Sequence, residues 1–258
     1  MRIGLVAGEG QEARMSRLAE DHGLFGVLVG ASNPVTAITA AVYASTATDF
    51  VRVVTRVQLG LEHPVTVAEE LAVLDNVNNG RTVVVVDGGL LEPEDAADEI
   101  LIIRDGLGNR PLHHDGPRWR VPAGLPANAT APDFIAVTPK PAQVEIPFWL
   151  SGPHALELGR RLSLPVLSGE WSGPPSTASV QPAAARITGD LAADRELVSA
   201  WAANGATHLL VELPPGDHAF FATHVSRYLV PEVAMPHFPR VMSQSRVPLP
   251  WPGDGRGR

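Results

Sequence analysis

Arg56 lies near the end of a strand otherwise rich in valine, in VRVVTRVQLG from Val51 to Gly60. A guanidinium there is costly to bury unless an anion or several carbonyls satisfy it, so it either meets a substrate or phosphate anion or closes an ion pair with a neighbouring carboxylate. Asp87-Gly88-Gly89 interrupts a second valine run at a point where backbone can approach a ligand closely. His63, followed by Pro64, either caps the turn before a helix or offers an imidazole to chemistry. Ser151-Gly152, Ser168-Gly169 and Gly189-Asp190 are turns whose backbone N–H groups could hold a phosphate without any charged side chain, or are ordinary connections between strand and helix. His113-His114-Asp115 has the residue types of a metal site, yet neighbours in an extended run point to opposite sides, and a solvated loop accounts for them better. The sequence has no GxSxG elbow, HExxH helix or Walker loop, and Gly8-Glu9-Gly10 lacks the third glycine of a dinucleotide fingerprint. Hydrolase and classical nucleotide-binding chemistry are therefore disfavoured.

The elements that position these residues follow from periodicity. Val51, Val53, Val54 and Val57 form a β-branched run, Pro64 opens a helix, and Val67, Leu71 and Leu74 recur on one helical face. Asn78-Asn79-Gly80 stops that helix, and Thr82 to Val86 reads as a parallel strand buried on both faces. The same rhythm predicts a strand at 3–7, a helix at 11–22, a strand at 25–29, a helix at 34–46 and a helix from Pro93 to Leu107. Residues 108–147 break the rhythm and read as an excursion hairpin built on the apolar runs 119–121 and 134–137. Strands then follow at 148–151, 165–167, 184–188 and 207–213, with helices at 153–163, 191–204 and 218–230.

Eight strands in eight steps predict an α/β fold of the (β/α)8 TIM-barrel type, with the sixth βα step trimmed because EWSGPPSTASVQP at 170–182 reads as loop. Residues 1–244 are expected to form one domain and 245–258 a Pro/Gly-rich tail, mobile unless a partner subunit captures it. The five tryptophans are dispersed, which suits packing rather than a stacking platform. An Asp and Glu total of 28 against 20 Lys and Arg gives a formal charge of −8 without a basic cluster, so nucleic acid is an unsuitable partner. The absence of cysteine removes disulfides and thiolate chemistry. MRIGLVAGEGQEAR is too weakly apolar for a signal peptide, and no run of about 18 apolar residues exists to span a membrane. A cytoplasmic protein is expected. Lys140 is the sole lysine, and this arginine bias points to a GC-rich genome.

The chain resembles the bacterial luciferase-like family of flavin- and deazaflavin-dependent oxidoreductases. Four pieces carry the likeness in the family's order: NPVTAITAAVYASTATDFVRV at 33–53, RVQLGLEHPVTVAEELAVLDNVNNGR at 56–81, TPKPAQVEIPFWLSGPHALELGRRL at 138–162 and RELVSAWAANGATHLLVEL at 195–213. The resemblance implies a barrel whose third strand ends beneath the flavin ring, at Thr55, Arg56 and Val57. It places a cofactor site on those residues with Asp87, Gly88, Ser151, Gly152, His154, Ser168 and Gly169, and puts Arg56 and His63 beside the chemistry. Arg56 departs from the small residue usual there and would cover the ring, bind an anion or fill the space. A second departure is Gly30-Ala31-Ser32, which stands where many members carry an acid–histidine pair after the second strand.

By resemblance the expected function is hydride transfer to, or monooxygenation of, a small organic substrate with reduced FMN or a deazaflavin (coenzyme F420). GC-rich bias favours the deazaflavin. A separate flavin or deazaflavin reductase and a homodimer are the expected partners. The alternative is a degenerate barrel without cofactor that serves as a binding or structural protein.

Overall fold

The computed structural model describes residues 1–31, 33–123, 133–169 and 180–229. Four strands, β1 (Arg2–Val6), β2 (Gly26–Val29), β3 (Arg52–Gln58) and β4 (Thr82–Asp87), alternate with four helices, α1 (Glu12–Asp21), α2 (Ala37–Ser45), α3 (Pro64–Val77) and α4 (Pro93–Leu107). After a short hairpin, β5 (His114–Asp115) with β6 (Arg120–Val121), the rhythm resumes. It continues through β7 (Phe148–Ser151), α5 (Ala155–Leu162), β8 (Pro182–Arg186), α6 (Leu191–Ala203), β9 (His208–Glu212) and α7 (His218–His224), which runs into a π turn over Val225–Leu229.

The seven long strands form one parallel sheet in the order β7-β4-β3-β2-β1-β9-β8. The sheet curls, and its two outer strands approach the same segment: Val166 bridges Leu150 of β7 and Ser168 bridges Ala183 of β8, both parallel. Leu167 N donates to Leu150 O at 2.8 Å, and Ala184 N donates to Ser168 O at 2.9 Å. The concave face is filled by Leu28, Val54, Val83, Val85, Trp149 and Leu210. On the convex face Ile3, Leu5, Val27 and Val53 meet α1, α2, α6 and α7, while Val57, Val84, Val86 and Leu150 meet α3, α4 and α5. β4 is buried along its whole length, as its unbroken apolar run requires. Among the described residues no helix is long and apolar enough to cross a membrane.

The amino-terminal floor of the sheet is held by polar groups. Arg81, 3% exposed, donates to the carbonyls of Ser45, Thr48, Val51 and Asn78 and to Thr48 Oγ1. Asp75 accepts from both the backbone and the side-chain amide of Gln143 at 2.8 Å, and Gln143 Nε2 also donates to Thr82 O at 2.8 Å. These contacts anchor the chain entering β7 to the start of β4.

The hairpin differs from the sequence expectation. Its strands are His114–Asp115 and Arg120–Val121, while Ile135 makes only an antiparallel bridge to Leu112. The apolar runs at 119–121 and 134–137 therefore do not pair with each other, because Asp98 of α4 draws the turn at Arg118 and Trp119 inward through their N–H groups. The strand expected at 184–188 begins and ends two residues earlier. Its expected last residue, Thr188, belongs to a turn in which Asp194 of α6 accepts from Thr188 N (2.8 Å), Thr188 Oγ1 (2.9 Å) and Gly189 N (2.9 Å). The segment expected as a strand at 165–167 makes isolated bridges, the helix expected at 34–46 opens with a 3-10 turn at Pro34–Thr36, and the last helix changes to π geometry at Val225. The trimmed sixth helix and the tail fall on 170–179 and 245–258, outside the described residues.

Two substitutions test this framework. Arg81→Leu leaves four buried carbonyls short of a donor and should lower unfolding free energy by about 2–4 kcal/mol, read as a lower urea midpoint with the fold otherwise retained. Burial acts to raise the pKa of Asp194, but the hydrogen bonds from Thr188, Gly189 and His224 outweigh it and hold the carboxyl below the ordinary aspartate range. A lowered folded-state pKa means that this stabilisation is present above the unfolded value of about 3.9 and is lost as pH falls through the folded value. Asp194→Asn should therefore melt lower than the parent at pH 7, with the difference shrinking as pH falls below about 4; a difference independent of pH would contradict the assignment.

Candidate active site at the carboxyl rim of the sheet

Strand register brings the predicted residues of β3, β4 and β7 to one rim. Gln58 lies opposite Asp87, and Asp87 opposite Ser151. Arg56 shares the concave face of β3 with Val54, since alternate residues point the same way. Its Nη1 donates to Ala31 O at 2.8 Å, and its Nη2 pairs with Asp87 Oδ2. The guanidinium thus spans from the end of β2 to the end of β4. Asp87 is held from a second side by Gly89 N, 2.9 Å from Oδ1. The Asp87 side chain is 8% exposed and that of Arg56 32%, so the carboxylate is the buried member of the pair.

Gly152 is shaped by that carboxylate. Its φ is +92°, and a Cβ there would lie 2.5 Å from Asp87 Oδ1. Two polar atoms beside this group, Ser151 Oγ and Arg56 Nε, are buried without a hydrogen-bond partner. Thr55 Oγ1 is likewise unpartnered, but Thr55 shares its strand face with Val53 and Val57, which pack against the helices. Only the backbone of Thr55 and Val57 is therefore presented to the concave side.

The three glycine turns have different electrostatics. At Gly189 the anion is already supplied by Asp194, so the N–H groups of that turn are satisfied within the chain. Ser151-Gly152 lies against the Asp87 carboxylate, which opposes a phosphate except where Arg56 neutralises it. At Ser168 the backbone N–H donates to Pro182 O, whereas a Cβ on Gly169 would meet nothing within 4 Å. Among the described residues, Gly169 is the least crowded glycine of the three turns. His154 is the N-cap residue of α5 without a side-chain capping bond, and Gly88 is buried with only ordinary contacts to Ala96 and Leu158.

His63 caps α3: its Nδ1 accepts from Val65 N at 3.2 Å, and its ring stands edge-on to Trp119 with centroids 4.5 Å apart. Among the described residues no hydrogen bond links it to the Arg56–Asp87 pair. Sequence reasoning missed the group beside it, where consecutive carboxylates on α4 tie the hairpin to the rim. Asp98 pairs with His114 Nε2 at 2.6 Å, while Glu99 accepts from Arg118 Nε (2.9 Å), Trp119 Nε1 (3.1 Å) and Gly60 N (2.9 Å). The available signal was two adjacent acids, Asp98 and Glu99, beside the apolar-face positions Ala96, Ile100 and Ile103 of the helix, a pattern that needs buried partners. His114 is thus engaged by a hydrogen bond to Asp98, and among the described residues no group of three His, Cys, Asp or Glu side chains is arranged to hold a metal.

Comparison with known proteins agrees with this architecture. No curated protein matches the sequence. Among solved structures, the chain is similar to a monooxygenase from Streptomyces bottropensis, with 15% identity, 91% of this chain and 100% of that chain covered and a TM-score of 0.66. It is also similar to the coenzyme F420-dependent tetrahydromethanopterin reductase from Methanopyrus kandleri, at 14% identity, 92% and 99% coverage and a TM-score of 0.61. Such identities establish shared fold alone. The profile of the luciferase-like monooxygenases matches residues 7–96, which run from the end of β1 into α4 and include Arg56, His63 and Asp87. The match covers β2, β3 and β4 of the curled parallel sheet, about a third of the chain.

Proposed function

We propose that the chain is a luciferase-like oxidoreductase that binds reduced FMN or a deazaflavin of the F420 type at the carboxyl rim, together with a small organic substrate. The observation that carries this reading is the pair of buried, unpartnered polar atoms, Ser151 Oγ and Arg56 Nε, on either side of Asp87. Buried polar groups are seldom left unsatisfied, and a ligand at this rim would supply their partners. In this reading Val166–Ser168 serves as the sixth strand of a (β/α)8 barrel, the Ser168-Gly169 turn receives the phosphate, and Arg56 faces the ring or a substrate anion.

The coenzyme would supply hydride delivery or oxygen activation, and the protein would orient it and exclude water. Gly30 and Ala31 leave no imidazole at the end of β2, which favours hydride transfer over oxygen chemistry that depends on a base there. The reductase of Methanopyrus kandleri and the monooxygenase of Streptomyces bottropensis, which share the fold, represent these two chemistries. A reductase that regenerates the coenzyme and a second copy of the chain complete the proposal; light scattering should return twice the mass of the chain, and a monomer at high concentration would remove the dimer.

The ion pair itself favours a second reading, a degenerate barrel in which Arg56 fills the space left by a lost cofactor. Difference spectroscopy with FMN and with F420 separates the two. The first reading predicts a saturable spectral change that Arg56→Ala weakens by about 2–5 kcal/mol, whereas the loss of Asp87's partner lowers melting in either reading. Gly169→Val should weaken the same binding with the melting temperature unchanged, because among the described residues nothing lies within 4 Å of the added Cβ. Absence of binding to either coenzyme would assign the degenerate barrel.

A further inference from the structure

The turn that follows β4 carries the most exposed large apolar side chain of the described residues. Leu90 is 101% exposed, whereas its neighbour Leu91 packs on Gly60, where an added Cβ would lie 3.2 Å from Leu91 Cδ2. Exposure alone means little, since single apolar side chains are common on surfaces. The backbone beneath Leu90 gives it a role. Leu91 N donates to Gly88 O at 3.1 Å and Gly89 has a φ of +59°, so Gly88–Leu91 is a tight turn with glycine at the left-handed position and Leu90 beside it at the tip. Two glycines in succession let the peptides before Leu90 reorient at little steric cost.

The same turn is joined to Arg56 through one side chain. Asp87 Oδ1 accepts from Gly89 N at 2.9 Å, while Oδ2 holds Arg56 Nη2. The Asp87 side chain is 8% exposed, so an acceptor that draws Arg56 away leaves a buried carboxylate oxygen in need of a new donor. Leu90 N, three residues on, is the donor at hand: among the described residues it makes no hydrogen bond within the chain. Aspartate side chains readily accept from backbone N–H groups two and three residues later. Gaining that bond rotates the Gly89–Leu90 peptide and carries the leucine with it. Asp87 shares the concave face of β4 with Val83 and Val85, so the rotation draws the tip toward the mouth of the sheet.

We propose that the Gly88–Leu91 turn is a ligand-operated lid. An acceptor on the bound molecule takes Arg56 from Asp87, the freed carboxylate oxygen captures Leu90 N, and Leu90 closes over the apolar face of that molecule. The inference rests on the reading of the rim as a coenzyme site and adds that occupancy of Arg56 and closure are one event.

The chain has no cysteine, so Leu90→Cys accepts a single apolar, environment-sensitive dye in place of the leucine. Ala203→Cys, exposed at the far end of α6, is the control. In the full-length protein without ligand, Arg56→Ala should shift emission of the dye at 90 to shorter wavelength and leave that at 203 unchanged, and Asp87→Ala added to Arg56→Ala should abolish the shift. Circular dichroism checks that each variant is folded at the temperature of measurement. In the protein with Arg56 and Asp87 intact, saturating FMN or F420 should produce the same shift at 90. Without a label, Leu90→Ser should weaken binding of that coenzyme about tenfold and leave the melting temperature unchanged, since the side chain lies in water. A coenzyme that binds without moving the dye and is indifferent to Leu90→Ser overturns the lid while the coenzyme site stands. A dye that ignores Arg56→Ala overturns the coupling whatever binds. A dye that moves with Arg56→Ala while neither coenzyme binds supports the hinge and removes the coenzyme reading.

Discussion

The Arg56–Asp87 pair is the constraint around which the carboxyl rim is arranged. A carboxylate as enclosed as Asp87 needs a cation or several donors, and it receives Arg56 on one oxygen and Gly89 N on the other. Arg56 in turn reaches the carbonyl of Ala31, so the ends of β2, β3 and β4 are joined by one guanidinium. Glycine suits position 152 because its φ is +92° and a Cβ there would crowd the same carboxylate at 2.5 Å. Arg56 remains about one-third exposed, so the pair is worth less than a fully enclosed one, on the order of 1–3 kcal/mol. That is weak enough for a ligand anion to compete for the guanidinium and strong enough to hold the rim in its absence.

The opposite end of the sheet follows different rules. Asp75, Asn78, Arg81 and Gln143 form a closed polar floor in which donors meet backbone carbonyls or one another. These positions belong to the sequence pieces that carry the family resemblance, the Leu-Asp and Gly-Arg of 56–81 and the glutamine segment at 138–162. Stability is thus concentrated at the amino-terminal face, and the groups available to a ligand at the carboxyl face, as barrel enzymes generally divide the two tasks.

This division explains what could be read from the sequence. Helix α3 was legible because Pro64, the apolar repeat and Asn78-Asn79-Gly80 all encode local geometry, and β4 because burial on both faces demands an unbroken apolar run. The site was legible as positions more than as interactions. Arg56 and Asp87 stand out by residue type, but their pairing depends on strand register across 31 residues of chain. The Gly189 turn looked like an anion site because its own anion, Asp194, sits on the following helix, where sequence periodicity alone does not aim its side chain. The hairpin was misjudged for a similar reason: His114, Arg118 and Trp119 are drawn to Asp98 and Glu99, partners distant in sequence that hydropathy does not reveal.

The account turns on whether the guanidinium of Arg56 gives way to a ligand at the rim. A crystal structure of the protein grown with reduced F420 or FMN measures this directly. The account predicts coenzyme at the carboxyl ends of β3, β4 and β7, with phosphate on Ser168 and Gly169 and a new partner for Ser151 Oγ. A rim without coenzyme under saturating conditions, with Arg56 still bound to Asp87 and Ala31, would contradict it.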